Sequence, residues 1–179
     1  MNYKIIYSSQ TGNTRLLAET AASVLKLKIQ GNDTLEITDI QTITKPLKPS
    51  PDDTIYFIGF WTDKGNCGES IENTLKSLEN CKVFLFGTAG FGQSQDYFEK
   101  LLGNAVHNLP STSTLIGTFM CQGKMPQSVR SRYEKMLKEK PGDTSIQSLI
   151  DNFDAALLHP SEDDQHRLAE AINASLKNC

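Results

Sequence analysis

Seven residues near the start of the chain, Ser8-Ser9-Gln10-Thr11-Gly12-Asn13-Thr14, place four hydroxyl side chains, a glycine and an amide in one short run. A strand-like stretch, Tyr3 to Tyr7, comes before them. A helical one follows, from about Asn13 to Lys26, with Leu17, Ala21, Val24 and Leu25 on one face. A loop that enters a helix offers unpaired N–H groups and the positive end of the helix dipole, which makes it a seat for a phosphate. Ser9, Thr11 and Thr14 can add O–H donors, Gly12 lets the backbone come close, and Asn13 tolerates the positive φ such turns use. Plain capping of the helix accounts for one or two hydroxyls and not four. No Walker lysine follows the glycine and no G-x-G-x-x-G is present, so a nucleoside triphosphate and a dinucleotide pyrophosphate fit poorly. Arg15 is equally well read as a phosphate contact or as a solvated surface arginine.

Two further loops suit a flat ring. Trp61-Thr62-Asp63-Lys64-Gly65-Asn66 puts the only tryptophan directly after an apolar run, where a core role is awkward because loops lie on the surface. Gly87-Thr88-Ala89-Gly90-Phe91-Gly92 has three glycines and small neighbours, so its backbone N–H and C=O groups can reach the edge of a heterocycle. Phe91 or Tyr97 can cover the second face. Cys121-Gln122-Gly123-Lys124 ends a third apolar run; Lys124 either reaches the ring's rim or a partner, or is an ordinary loop lysine. Cys67 lies close to these loops, but only Lys64 is near enough in sequence to lower its pKa, and a bystander thiol is the better reading.

The elements that must position these loops are legible from hydrophobic pattern. Thr54 to Phe60 and Lys82 to Gly87 are apolar almost throughout, as strands covered on both faces are. Leu35 to Ile37 reads as a shorter flanking strand, Leu115 to Cys121 as the fifth, and Pro46, Pro49 and Pro51 as a loop. Ile71 to Leu78 and Phe98 to Val106 form helical crossovers. Val129 to Leu137 and Ile146 to Phe153 give two more helical stripes, parted by Pro141-Gly142. A last helix follows Ser161, with Ser161 and Asp164 at its amino end and Leu168, Ile172 and Leu176 facing inward. The alternation predicts one α/β domain over residues 1–179 with a mostly parallel sheet, carrying a helical insertion at about 124–160.

The motif Ser9-Gln10-Thr11-Gly12-Asn13-Thr14 resembles the FMN-phosphate loop of flavodoxins, Ser/Thr-x-Thr-Gly-x-Thr. The resemblance covers about residues 3 to 121 and the last helix. It implies a flavodoxin-like three-layer sandwich with a five-stranded parallel sheet in the order 2-1-3-4-5 and FMN at the switch point between strands 1 and 3, flavodoxin being the reference case for this order. It also implies that residues 61–66 and 87–92 are the two isoalloxazine loops, with Trp61 stacking, Thr62, Thr88, Ala89, Gly90 and Gly92 alongside, and Gly65 permitting a redox-linked peptide flip. Asp63, Glu69 and Asp96 are then candidates to disfavour negative charge on the ring. The sequence departs from the family in carrying Ala-Gly-Phe-Gly where many flavodoxins have an acidic residue. Phe60 to Gly65, Phe86 to Gly92 and Cys121 to Pro126 are similar to a bacterial flavodoxin-like subfamily whose genes accompany a bilirubin reductase, which makes such a reductase a candidate partner.

Composition narrows the alternatives. The 179 residues carry 18 Lys+Arg against 21 Asp+Glu, a net charge of −3, which lacks the basic footprint of a nucleic-acid binder. There is no run of about 18 apolar residues to span a bilayer, and Cys67, Cys81, Cys121 and Cys179 form no C-x-x-C pair. A cytoplasmic location, no membrane association and reduced thiols are the expectation. His107, His159 and His166 have no metal-ligand spacing, and no metal is expected. Three functions remain: an FMN-binding electron carrier working between protein redox partners, an NAD(P)H-dependent FMN quinone or substrate reductase, and a non-catalytic module that holds only an anion. The first is preferred because no nicotinamide site is visible.

Overall fold

The computed structural model describes residues 1–42, 49, 53–92 and 94–177; Pro46, Pro51 and Cys179 lie outside them. Strands β1 (Asn2–Tyr7), β2 (Leu35–Asp39), β3 (Thr54–Trp61), β4 (Lys82–Ala89) and β5 (Thr114–Gln122) form one sheet in the order β2-β1-β3-β4-β5. All four pairings are parallel. Helices α1 (Asn13–Lys26), α2 (Glu69–Ser77), α3 (Gln95–Val106), α4 (Gln127–Glu139), α5 (Thr144–Ala156) and α6 (Glu162–Leu176) complete the chain. This is the flavodoxin-like α/β architecture with helices added after the fifth strand.

Alternation along the strands divides the core in two. Ile6, Tyr56, Ile58, Phe60 and Leu85 face α2 and α3, meeting Ile71, Leu75, Phe98 and Leu101. Ile5, Tyr7, Phe57, Phe84 and Phe86 face α1 and α6, meeting Leu17, Ala21, Leu168 and Ile172. Strands buried on both sides have to be apolar at consecutive positions, which is why β3 and β4 carry near-continuous hydrophobic runs.

The helix ends follow from local chemistry. Ser161 and Asp164 form a capping box on α6, and the Asp143 carboxylate accepts from the N–H groups of Ser145 and Ile146 to start α5. Leu168 and Ile172 point inward as the spacing predicts, with Leu176 packed at the margin. β3 and β4 run further than their apolar patterns suggest: Trp61 and Thr88 pair as the last rung between them, so Trp61 is the final residue of a strand rather than the first of a loop. Ladder pairing carries a strand past its last apolar residue, a signal that hydrophobic pattern does not contain.

Candidate functional site

The carboxyl ends of β1, β3, β4 and β5 meet at a cleft of about 110 Å³, lined by Gln10, Thr11, Asn13, Trp61, Thr62, Thr88, Ala89, Gly90, Gly123, Lys124, Met125 and Pro126. Four stretches far apart in sequence thus converge where an open α/β sheet binds its ligands.

The first wall is the N-terminus of α1. Gly12 sits at its N-cap with φ 87° and has no side chain with which to cap the helix. That left-handed conformation is costly for a residue with a Cβ, so the positive φ belongs to Gly12 and not to Asn13, which is already helical. Among the described residues the N–H groups of Asn13 and Thr14 have no partner, whereas those of Arg15 and Leu16 bond to Ser9 Oγ and the Gly12 carbonyl. The hydroxyls have mostly been claimed. Ser9 accepts from Arg15 N–H at 3.2 Å, Thr11 Oγ1 accepts from Asn13 Nδ2 at 2.8 Å, and Thr14 Oγ1 is buried against Thr88 Oγ1 at 3.1 Å. An anion here is therefore met chiefly by backbone donors, with the side chains fixing the loop. Arg15 pairs with Glu19 at 3.0 Å on the surface.

The second wall is the end of β3. Trp61 and Thr62 line the cleft, and Thr62 Oγ1 is a buried hydroxyl without a partner among the described residues. A buried, unpaired hydroxyl costs on the order of 1–3 kcal/mol, a cost that a bound ligand's polar atom would remove. Beyond it, Asp63 and Asn66 exchange two backbone hydrogen bonds of 2.9 Å around Lys64 (φ 49°) and Gly65 (φ 86°), a tight two-residue turn. Gly65 lies outside the cleft, and its carbonyl accepts from Asn104 Nδ2 of α3 at 3.0 Å. Any peptide rotation there must give up that bond.

The third wall is the end of β4 with the segment that follows β5. Thr88, Ala89 and Gly90 line the cleft, and the N–H groups of Gly90 and Phe91 have no partner among the described residues. Phe91 is 38% exposed on the surface beside it. Tyr97 instead packs against the core on the α3 side, where burial raises its phenol pKa. Gly92 borders a second, polar cavity of about 210 Å³ with Gln122, His159 and Arg167. The residues from Gly123 to Pro126 were not among those expected at the site, apart from Lys124 as an open candidate; Met125 and Pro126 give the cleft an apolar wall. Their signal in the sequence is only their place after the fifth strand.

Buried Cys67 is held as a neutral thiol, its pKa pushed up to about 11 by desolvation and by Glu72. Cys67, Cys81 and Cys121 are free and buried. A concavity of about 760 Å³ lies at the turn between α4 and α5 around Leu137, Pro141 and Thr144 and includes none of the loop residues. The polar convergence at the sheet edge marks the functional site better than that volume does.

Comparison with known proteins agrees with this fold. A family model described as a flavodoxin domain matches residues 4–173. The flavodoxin-like domain-containing protein BilS of Clostridium symbiosum (strain WAL-14163) is 39% identical over 98% of this chain and 98% of its own length. Among solved structures, an FMN-dependent NADH-azoreductase from Bacillus anthracis in complex with FMN superposes with a TM-score of 0.56 at 9% identity, over 97% of this chain and 99% of that one. Oxidised flavodoxin 1 from Bacillus cereus gives 0.51 at 14% identity, over 90% of this chain and 100% of that one. At such identities the likeness to these two is one of fold.

Proposed function

The chain belongs to the flavodoxin-domain family, and from that premise we propose that it binds FMN at the carboxyl edge of the sheet and passes electrons between protein partners. The observation that carries the reading is the Thr62 hydroxyl, buried without a partner among the described residues on the wall of the same cleft into which the N-terminus of α1 opens. The donor set fits the cofactor part by part. The free N–H groups of Asn13 and Thr14 take the phosphate dianion at the positive end of the helix dipole. Trp61 would stack on one face of the ring, Phe91 is the candidate for the other, and the N–H groups of Gly90 and Phe91 would meet its polar edge. The cleft of about 110 Å³ is smaller than the roughly 300 Å³ or more of a pocket that engulfs its ligand. FMN held here would therefore leave part of its ring accessible to partners.

Bound FMN supplies reversible one- and two-electron chemistry. The residues decide how that chemistry is used. Trp61, Met125 and Pro126 exclude water from the buried side and so disfavour added negative charge there. The bond from Asn104 to the Gly65 carbonyl sets the cost of reorienting the turn beside the ring. A protein acceptor is consistent with a shallow cleft, and a bilirubin reductase is the candidate that the subfamily resemblance supplies. No helix among the described residues is long and apolar enough to cross a membrane, and three buried free thiols fit a reducing, cytoplasmic setting.

The alternative, an NAD(P)H-dependent reductase, is favoured by one observation: the 210 Å³ polar cavity beside Gly92 and Gln122 offers room for a second small molecule. Titrating the protein with FMN and following flavin fluorescence, then adding NADPH under anaerobic conditions, tests both readings. Quenching with micromolar or tighter affinity and no bleaching by NADPH supports the carrier; bleaching makes it a reductase, and absence of quenching removes both.

A further inference from the structure

Two buried amides from outside the flavin loops converge on one carbonyl inside them. Asn152 of α5 and Gln122 at the end of β5 each donate to the Gly90 carbonyl oxygen at 3.0 Å, and Gln122 Nε2 is 3.1 Å from Asn152 Oδ1. Asn152 is 1% exposed and Gln122 8%. An apolar residue at position 152 would pack α5 at no cost in desolvation, so a buried amide there is informative: once all its bonds are made, such a network permits one arrangement. Because the peptide unit is planar and trans, the Phe91 N–H points opposite to the Gly90 carbonyl and hence away from α5. Two donors on that carbonyl also polarise the peptide and strengthen its N–H as a donor.

We propose that the α4–α5 hairpin serves the site as a clamp: through Asn152 and Gln122 it fixes the Gly90–Phe91 peptide so that the Phe91 N–H is presented to the edge of the flavin ring. The inference rests on the FMN reading for its ligand, and on the hydrogen-bond network alone for the clamp. Asn152 and Gln122 are positioning residues, acting through the Gly90 backbone. The hairpin is braced within itself: Ile146, Ile150, Phe153 and Ala156 of α5 are buried with Asn152, and Arg130 of α4 stacks over Phe153 and pairs with Asp154.

The test compares the wild-type protein with Asn152→Leu and Gln122→Met in two measurements: amide hydrogen exchange at residues 88–92 of the flavin-free protein, and affinity for FMN and for riboflavin. Exchange of the Thr88 and Ala89 amides, at the end of the β4 ladder next to the clamped peptide, is expected to speed up in both variants. Affinity should fall about tenfold, by the same factor for both flavins, because the clamp acts on the ring loop and not on the phosphate loop. Unchanged exchange at 88–92 overturns the clamp whatever the affinity does. Faster exchange with unchanged affinity overturns its role toward the ring. If the wild-type protein takes up neither flavin, the FMN reading falls, and the exchange measurement still decides the clamp. Either variant can carry the test if the other loses its helical circular dichroism.

Discussion

Asn13 Nδ2 donates to the Lys124 carbonyl oxygen at 2.8 Å, tying the first helix to the loop after the last strand. The same nitrogen bonds Thr11 Oγ1 at 2.8 Å, so one side chain holds the loop before α1 in shape and fastens it to the segment that lines the cleft after β5. Gly123 is what allows the approach, since a Cβ there would lie 2.7 Å from Asn13 Nδ2. Gly123→Ala is expected to displace the Asn13 amide and cost about 1–3 kcal/mol, as overpacking of a tight contact does. FMN affinity should fall with it. Urea denaturation and fluorescence titration check the two parts.

Thr62→Val should split stability from binding. Removing a buried hydroxyl that has no partner relieves a cost of about 1 kcal/mol in the flavin-free protein, which is expected to melt at the same or a higher temperature. The same change deprives the ligand of a hydrogen bond, and FMN is expected to bind roughly five- to thirtyfold more weakly. Thermal melts and binding isotherms on one preparation measure both.

Cys67 gives an alkaline signature. Its thiol is raised to about 11 in the folded protein by burial and Glu72, against about 8.5 for an exposed cysteine. Between those values the unfolded chain loses a proton that the native state keeps, so stability declines as pH rises through this window. Cys67→Ala is expected to reduce the decline, the remainder coming from Cys81 and Cys121, whose thiols burial also raises, read from denaturation midpoints at pH 8 to 11. A thiol reagent at neutral pH should leave Cys67 unmodified until the protein unfolds.

Asp164 acts in the opposite direction. Burial works to raise its carboxyl, but the Ser161 N–H, His159 and the Ser161 hydroxyl outweigh it and hold the pKa below the ordinary value. Its stabilisation is therefore complete above about pH 4 and is lost as pH falls through the lower folded value. Asp164→Asn should remove part of the acid sensitivity and destabilise the cap of α6 at neutral pH by about 1 kcal/mol. Circular dichroism melts from pH 2 to 7 measure both.

Much of this was legible in the sequence because the signals are local. The bounds of α1 follow from its apolar face, and β3 and β4 from their unbroken hydrophobic runs. The loop that enters α1 stood out for the same reason, its residues being adjacent along the chain. Individual roles were not legible, because partners distant in sequence set them: Thr14 turns its hydroxyl to Thr88 and Asn13 reaches Lys124. Tyr97 looked as able as Phe91 to cover a ring, and only packing against the α3 side of the core separates them. Asn152 carries no motif at all, and its place beside Gly90 exists only in three dimensions.

The central claim is that this sheet edge holds FMN as a carrier's cofactor, and its most direct test is an anaerobic potentiometric titration of the FMN-loaded protein monitored by visible absorbance. The account predicts two separate one-electron steps, the second at the lower potential, because the half-buried ring beside Trp61, Met125 and Pro126 disfavours added negative charge. A single two-electron wave at the potential of free FMN would contradict it.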